Sequence, residues 1–383
     1  MLTYRTAGES HGKAAVALIE GCPAGVRVDI RGINAELARR QGGYGRGGRM
    51  KIETDTVEIL GGVRRGVTLG SPIVLVVGNR DARIDDLKRT PRVFHPRPGH
   101  GDLAGALKYL DPDMRSILER ASARETAARV AAGALMRPLL DEVGITVFGH
   151  VVSVGGFRAC NKWPAASAWL RTRNKSPLYS LDPQADKTMV AAIDAAREAG
   201  DTLGGVVEVA AFDVPPGLGS HVAADRRLDA RLAAALMSIQ AVKGVEIGLG
   251  FDAAELPGSQ VHDDIGFDPR LRGTASLGYT RGTNNAGGIE AGISNGQPIV
   301  VRAAMKPIAT LGRPLPSIDI RSKKPHRAAH ERSDVCAVPA ASVVAENAVS
   351  FELAAALLEK TGGDTLKEVT AHLDAYLRMA RDV

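Results

Sequence analysis

Apolar positions along the chain fall into short β-type runs and longer helical ones that alternate without a regular rhythm. Runs rich in Val and Ile, bounded by Gly or Pro, predict strands over 56–60, 73–77, 145–154, 206–214 and 299–304. The runs 57–60 and 67–77, joined through Gly61, Gly62 and Gly66, read as antiparallel partners with sharp turns. The clearest helix covers 123–142. Ser122 and Glu125 have the spacing of a capping box, Ala and Val fill the body, and Gly144 closes it. Further helices are predicted over 34–40, 102–110, 225–241, 341–360 and 364–380. No strand–helix–strand rhythm recurs, which disfavours a doubly wound sheet. Antiparallel sheets packed on helices, an α+β fold, fit better. Thr68-Leu69-Gly70-Ser71 and Thr202-Leu203-Gly204-Gly205 each lead into a β-branched strand, a weak echo that would mark two similar halves. The stretch 155–200, polar and interrupted by Pro164, Pro177 and Pro183, reads as a surface excursion within one domain spanning 1–383.

Composition narrows the class. With 44% hydrophobic and 24% charged residues the chain reads as an ordinary soluble globular protein. Aromatics are only 4%, so Ala, Val, Leu and Ile must build the core, and a base-stacking nucleic-acid binder is disfavoured. A net charge of +6 is modest for 383 residues, so the placement of the arginines matters more than their sum. Cys22, Cys160 and Cys336 are far apart and form no CxxC pair, which argues against a disulfide framework or a zinc site and for reduced thiols in the cytoplasm. No basic segment followed by an apolar one opens the chain. No apolar stretch is expected to approach the roughly 20 residues that span a bilayer.

Several segments are suited to handling a small anion. Arg39, Arg40, Arg46 and Arg49 are spread over a loop with Gly42, Gly43, Gly45, Gly47 and Gly48. Glycine lets backbone approach a ligand closely, and guanidinium forks bind phosphate and carboxylate. An anion site, a solvated loop and an RNA-contacting segment all remain open for this loop, and its place between ordered elements favours the first. The run Arg97-Pro98-Gly99-His100-Gly101-Asp102 puts a histidine just before a helix that Asp102 starts, where either a proton-handling role or a turn histidine is open. His95 reads as structural. Arg120 and Arg124 flank the helix start at Ser122, whose free N–H groups suit a phosphate. Arg302 and Lys306 end a strand in a cationic turn, and Arg332 with Asp334 reads as a surface ion pair. A phosphate-binding P-loop, a GxSxG elbow and an HExxH helix are not found. Gly42 to Gly47 follows a helix and not a strand, so the dinucleotide-fold context fails. Residue chemistry alone thus ends at an enzyme or receptor for a small polyanion.

Taken together, Gly8-Glu9-Ser10-His11-Gly12, the Arg/Gly loop, Arg97 to His100, Arg120 to Gly133, Gln240 to Glu246, Asn285 to Gly288 and the run from Arg332 to Glu346 resemble the chorismate synthase family, in order and over essentially the whole chain. The resemblance implies a sandwich of helices between antiparallel sheets with internal pseudo-symmetry, and a cytoplasmic homotetramer. It implies a carbon–oxygen lyase that removes phosphate from 5-enolpyruvylshikimate 3-phosphate by anti-1,4-elimination, with reduced FMN required and NADPH as reductant in bifunctional members. His11, His100 and Asp334 are then expected to be catalytic, and Ser10, Arg40, Arg46, Arg49, Arg97, Ser122 and Arg124 to hold substrate. FMN is expected on Arg120, Ala121, Ser122, Gln240, Ala241, Ala291, Lys306, Pro307, Ile308, Ala309, Thr310 and Arg332, and NADPH on Arg40 and Arg46. Between Gly78 and Arg97 the chain is short where many relatives carry a longer excursion.

Overall fold

The computed structural model describes residues 1–47, 54–160, 168–331 and 333–383. Its first half runs β1 (Thr3–Ala7), β2 (Ala14–Glu20), α1 (Ile30–Gln41), β3 (Val57–Gly61), a small hairpin of β4 (Val63–Arg64) and β5 (Val67–Thr68), β6 (Ile73–Gly78), α2 (Asp102–Tyr109), α3 (Arg115–Arg120) and α4 (Thr126–Glu142). The second opens with β7 (Thr146–Val154), β8 (Phe157–Arg158), α5 (Trp169–Lys175), α6 (Pro183–Ala199), β9 (Gly205–Phe212), α7 (Leu228–Met237) and β10 (Val242–Ile247). After α8 (Gly258–Val261) come the small pairs β11 (Ile265–Phe267) with β12 (Tyr279–Arg281) and β13 (Ile289–Glu290) with β14 (Ile293–Ser294). The chain ends through β15 (Ile299–Met305), the pair β16 (Pro316–Ile318) and β17 (Pro325–Arg327), α9 (Val338–Thr361) and α10 (Leu366–Ala380).

The larger strands form two antiparallel sheets, ordered β1-β2-β6-β3 and β10-β15-β9-β7-β8. Leaving aside the short edge strand β8, each half places its strands in the order first, second, fourth, third. Each sets one helix, α1 or α7, between its second and third strands and one long helix, α4 or α9, after its fourth. The pseudo-symmetry is therefore real, but the tetrapeptide echo does not mark it. The strand after Thr68 to Ser71 is the fourth of its half, and the strand after Thr202 to Gly205 is the second of the other.

Helix α4 packs on β1, β2 and β6, helix α9 packs on β7, β9 and β15, and the two helices pack on each other. Their small residues explain how two sheets share so thin a filling. Nearly every residue from Thr126 to Met136 is buried, as a helix apolar on all sides must be. At Gly133 the approach is closest: a Cβ there would meet the Asn347 carbonyl oxygen at 2.1 Å. One continuous core runs from Leu2 to Leu373.

Two expectations are corrected here. The stretch 155–200 contains α6, which buries Met189 and Ile193; Pro183 starts this helix under the Asp182 cap instead of breaking the chain. An apolar stretch of spanning length does exist, since α9 has 24 residues with a window of mean hydropathy 1.4. That window is 94% buried inside the fold. It is the core helix of the sandwich.

Glu346, on α9, is a buried carboxylate ringed by cations from three other helices: Arg39 of α1, Arg137 of α4 and Arg173 of α5. Burial alone pushes this carboxyl up, but the three guanidiniums outweigh it and hold it at about 2, against the usual 4.5. A depressed native value stabilises the fold fully above the unfolded value and loses that stability as pH falls through the folded one. Glu346→Gln is therefore expected to melt below the wild type at pH 6–7, with the gap closing between about pH 4.5 and 2. A gap that stays constant down to that pH would show that the charge of Glu346 contributes nothing.

Candidate functional site

The site is a cavity of about 680 Å³ where the turn between β1 and β2, the N-terminal approach to α4, the end of β15 and the segments around His100 and Asp334 converge. Its size falls in the range of small-molecule sites. Ser10, His11, Arg40, Arg46, Arg97, His100, Ala121, Ser122, Arg124, Gln240, Ala241, Lys306, Ile308, Ala309, Thr310 and Asp334 all line it.

Ser10 and His11 are presented by a loop that the chain pins from several sides. Gly8 turns it with φ 103°, and a Cβ there would lie 2.0 Å from the Ala14 carbonyl oxygen. The Asn79 amide donates to the carbonyls of Glu9 (3.1 Å) and Gly12 (2.8 Å), and the Ser10 N–H donates to the Glu119 carbonyl (2.9 Å). The Glu119 carboxylate then accepts both the His11 backbone N–H (2.7 Å) and its Nδ1–H (2.8 Å). Burial favours the neutral acid at Glu119, but these bonds and Arg115 hold the carboxyl below its usual range. The other ring nitrogen, Nε2, is 3.4 Å from the Arg83 guanidinium and 3.9 Å from Asp81.

His100 has a comparable partner. Its Nδ1–H donates to Asp102 Oδ1 at 2.6 Å, and Arg97 grips the same carboxylate through Nε (2.8 Å) and a terminal nitrogen (3.0 Å). Asp102 does start α2, as expected, but its side chain turns back instead of facing solvent. Although burial disfavours charge on it, hydrogen bonds from His100 and Arg97 hold its carboxyl far below the usual range. Arg97 also donates to Thr310 (3.0 Å), and the Lys306 ammonium donates to the Gly99 carbonyl (2.9 Å). The end of β15 is thereby tied to the histidine segment.

The remaining arginines meet on Asp55, which is buried: Arg40 binds one oxygen at 2.5 Å and Arg124 the other at 2.6 Å. Arg124 also donates to Asn79 (2.6 Å) and the Gly78 carbonyl (3.0 Å), so its fork is fixed. Burial, opposed by Asp55 and reinforced by the nearby Arg124 and Arg46 charges, pulls the Arg40 guanidinium down to about 10. It stays protonated at neutral pH. Arg46 pairs with Asp334 (2.6 Å), which also accepts the Gly47 N–H (2.6 Å). Asp334 is thus held in the cavity wall by the Arg/Gly loop.

Some expected members stand elsewhere. Arg49 and Arg332 lie outside the described residues. Arg120 donates away from the cavity, to the carbonyls of Gly8 (3.1 Å) and Thr6 (3.0 Å). Ala291 sits with φ 50° in the turn between β13 and β14 and does not line the cavity, and neither does Pro307. The reciprocal capping box is also absent at Ser122. Its hydroxyl accepts the Arg124 N–H (3.2 Å) and donates to Ser10 Oγ (3.1 Å), while Glu125 turns to Thr6, Arg129 and Gln240. The carboxylates Asp55, Asp81, Asp102 and Glu119, with Asn79 and Arg83, were not legible as site residues. Only Asp102 and Glu119 left a signal, by standing beside segments already singled out.

Comparison with known proteins agrees along the whole chain. A family model described as chorismate synthase matches residues 2–358. The chorismate synthases of Geobacter metallireducens and Geobacter sulfurreducens are 56% and 57% identical to it over 391 aligned positions, covering 100% of both chains. A crystal structure described as that of chorismate synthase superposes with a TM-score of 0.80 at 44% identity, covering 100% of this chain and 99% of its own.

Replacing Asp55 with Ala leaves two guanidiniums facing each other in a buried site. Breaking a buried pair costs about 3–5 kcal/mol, so Asp55→Ala is expected to unfold at clearly lower denaturant than the wild type. An unchanged midpoint would mean that solvent, not Asp55, balances these cations.

Proposed function

The chain belongs to the chorismate synthase family and is a lyase of the shikimate pathway to the aromatic amino acids, and we propose that its cavity eliminates phosphate from 5-enolpyruvylshikimate 3-phosphate to give chorismate, with reduced FMN bound in the same space. One observation carries this reading: His11 and His100, each with a carboxylate on Nδ1, line one cavity with Arg40, Arg46, Arg97 and Arg124. The substrate has one phosphate and two carboxylates, and a fan of fixed guanidiniums matches that load.

His11 is assigned the acid role. As the C–O bond to phosphate breaks, its N–H bond breaks and an O–H bond forms on the departing oxyanion, which leaves the ring neutral. Such proton transfer contributes about 10²–10⁴-fold in rate. His100 and Asp334 are assigned to the flavin side. The residues present suit a flavin. Gln240 donates its amide to Glu125 (3.0 Å), and its buried carbonyl oxygen has no partner among the described residues, so an N–H donor from a ligand would satisfy it. Ala121, Ser122, Gln240, Ala241, Lys306 and Ile308 to Thr310 are the residues proposed to hold it, and Ala241 supplies a left-handed turn with φ 68°. When bound, reduced flavin supplies an electron that helps phosphate depart and takes up the hydrogen lost from the substrate. Neutralising the anion and excluding water fall to the chain itself.

The proposal includes one domain over the 383 residues, a homotetramer and a cytoplasmic location. The main core, which draws residues from Leu2 to Leu373, supports the first, and apolar side chains exposed on the outer face of the first sheet, Leu18 and Leu60, suit the second. NADPH as reductant, on Arg40 and Arg46, is the finer part of the reading.

Under anaerobic conditions the chain is expected to form chorismate from the phosphorylated substrate with chemically reduced FMN and none with oxidised FMN alone. Product from oxidised FMN plus NADPH decides for intrinsic reduction. His11→Ala and His100→Ala should each slow turnover at least about tenfold with flavin binding retained. No chorismate under reducing conditions would sink the reading, and near-normal turnover in both variants would remove the assigned proton roles.

A further inference from the structure

We infer that Glu119 is the positioning residue of His11, fixing its tautomer so that Nε2 is the nitrogen that delivers the proton; this rests on the acid role given to His11 above. Three observations carry it. Glu119 holds both ends of one residue, since its two carboxylate oxygens accept the His11 backbone N–H (2.7 Å) and Nδ1–H (2.8 Å). The clamp is itself buried and tied to the loop: Glu119 is 2% exposed, and its own carbonyl anchors Ser10. The remaining nitrogen lies beside Arg83 and Asp81, two cavity-lining residues on the short segment after β6, so the proton-bearing edge is turned toward the cavity.

Among the described residues, the charged groups in contact with this ring come from two elements. From α3, Glu119 faces it directly, and Arg115 stands 3.7 Å behind the carboxylate, itself paired with Glu331. From the segment after β6, Asp81 and Arg83 face Nε2 and bind each other at 3.0 Å, with Arg89 also on Asp81. Asp81 and Arg83 are paired with each other, and Glu119 is the carboxylate in closest contact with the ring. When Nε2 gives its proton to the departing oxyanion, Glu119 remains a carboxylate and keeps the Nδ1–H bond. The ring is then returned to the same tautomer after every turnover, and reprotonation occurs again at Nε2.

A purely structural role for Glu119 would lower stability without touching the tautomer. The test reads the tautomer directly, by nitrogen NMR of histidine-labelled protein without flavin, with the His11 signal assigned from His11→Ala. In the wild type, neutral His11 is expected to carry its proton on Nδ1. In Glu119→Gln that preference should weaken, and the alkaline limb of kcat/KM should move down by at least about one pH unit, the size an opposite charge at this distance exerts. Glu119→Asp keeps the charge and should restore the limb at least in part. If Glu119→Gln does not fold, the tautomer in Glu119→Asp is the measurement, and mixed Nδ1 and Nε2 protonation is expected from its shorter reach. Neutral wild-type His11 protonated on Nε2, or an unchanged tautomer and alkaline limb in the folded variant, would overturn the inference. Because the NMR needs no turnover, a wild type that makes no chorismate would fail the proposed function while leaving Glu119 to be judged separately.

Discussion

A site that receives a polyanion out of water must hold several guanidiniums together before the ligand arrives, and that constraint organises this structure. Like charges in a medium of low dielectric repel strongly, and each also loses its hydration. The chain meets the problem by pairing the cavity arginines with carboxylates: Asp55 shared between Arg40 and Arg124, Asp102 under Arg97, Asp334 on Arg46. Each pairing uses part of a guanidinium fork and fixes its direction. An arginine held this way loses little freedom when a phosphate binds, so preorganisation is built before the substrate enters. The depressed guanidinium of Arg40 shows that the balance is close.

The sheets and helices can be understood as the frame this arrangement needs. Asp55 and Asn79 flank strands β3 and β6, Arg40 ends α1, and Arg124 precedes α4, so the first half of the repeat brings together residues far apart in sequence. The second half contributes the end of β15 and the turn through Gln240 and Ala241. Between the halves, α4 and α9 cross closely enough that Gly133 has no room for a side chain. Glu346 ties Arg39, one residue before Arg40, to α9. A buried charge cluster therefore sits one step behind the cavity and locks the helix that carries a cavity cation.

This division explains what could be read from the sequence. The strands over 73–77, 145–154, 206–214 and 299–304 were legible because β-branched runs between glycines have few other uses. The hairpin of β1 and β2 was not, since Ala14 to Ala17 weakens the β pattern and the Gly8 to Gly12 loop interrupts it. Helix α6 is hidden in the sequence because Pro183 reads as a breaker, although at the first turn its missing N–H costs nothing. Among site residues, arginines, histidines and glycines stood out by clustering. Their carboxylate partners did not, because Asp55 and Glu119 reach their partners only through the fold, and a lone acidic residue in sequence looks the same on a surface as in a core.

The two histidines show what those unseen carboxylates change. Both rings donate Nδ1–H to a carboxylate with almost no exposure, which removes the freedom a turn histidine would have. Their surroundings then diverge. Asp102 is shared between His100 and Arg97, and an Arg97 nitrogen lies 3.0 Å from the His100 ring nitrogen, so a cation competes with the ring for the same negative charge. Glu119 takes His11 at close range and meets its own cation, Arg115, only at 3.7 Å. The carboxylate is thus more fully available to a positive ring at His11 than at His100. Identical side chains, read as equals in the sequence, are set apart by how much of a buried carboxylate each one commands. The acid role proposed for His11 draws on that difference, since Glu119 gives both its oxygens to His11 and keeps its cation at 3.7 Å.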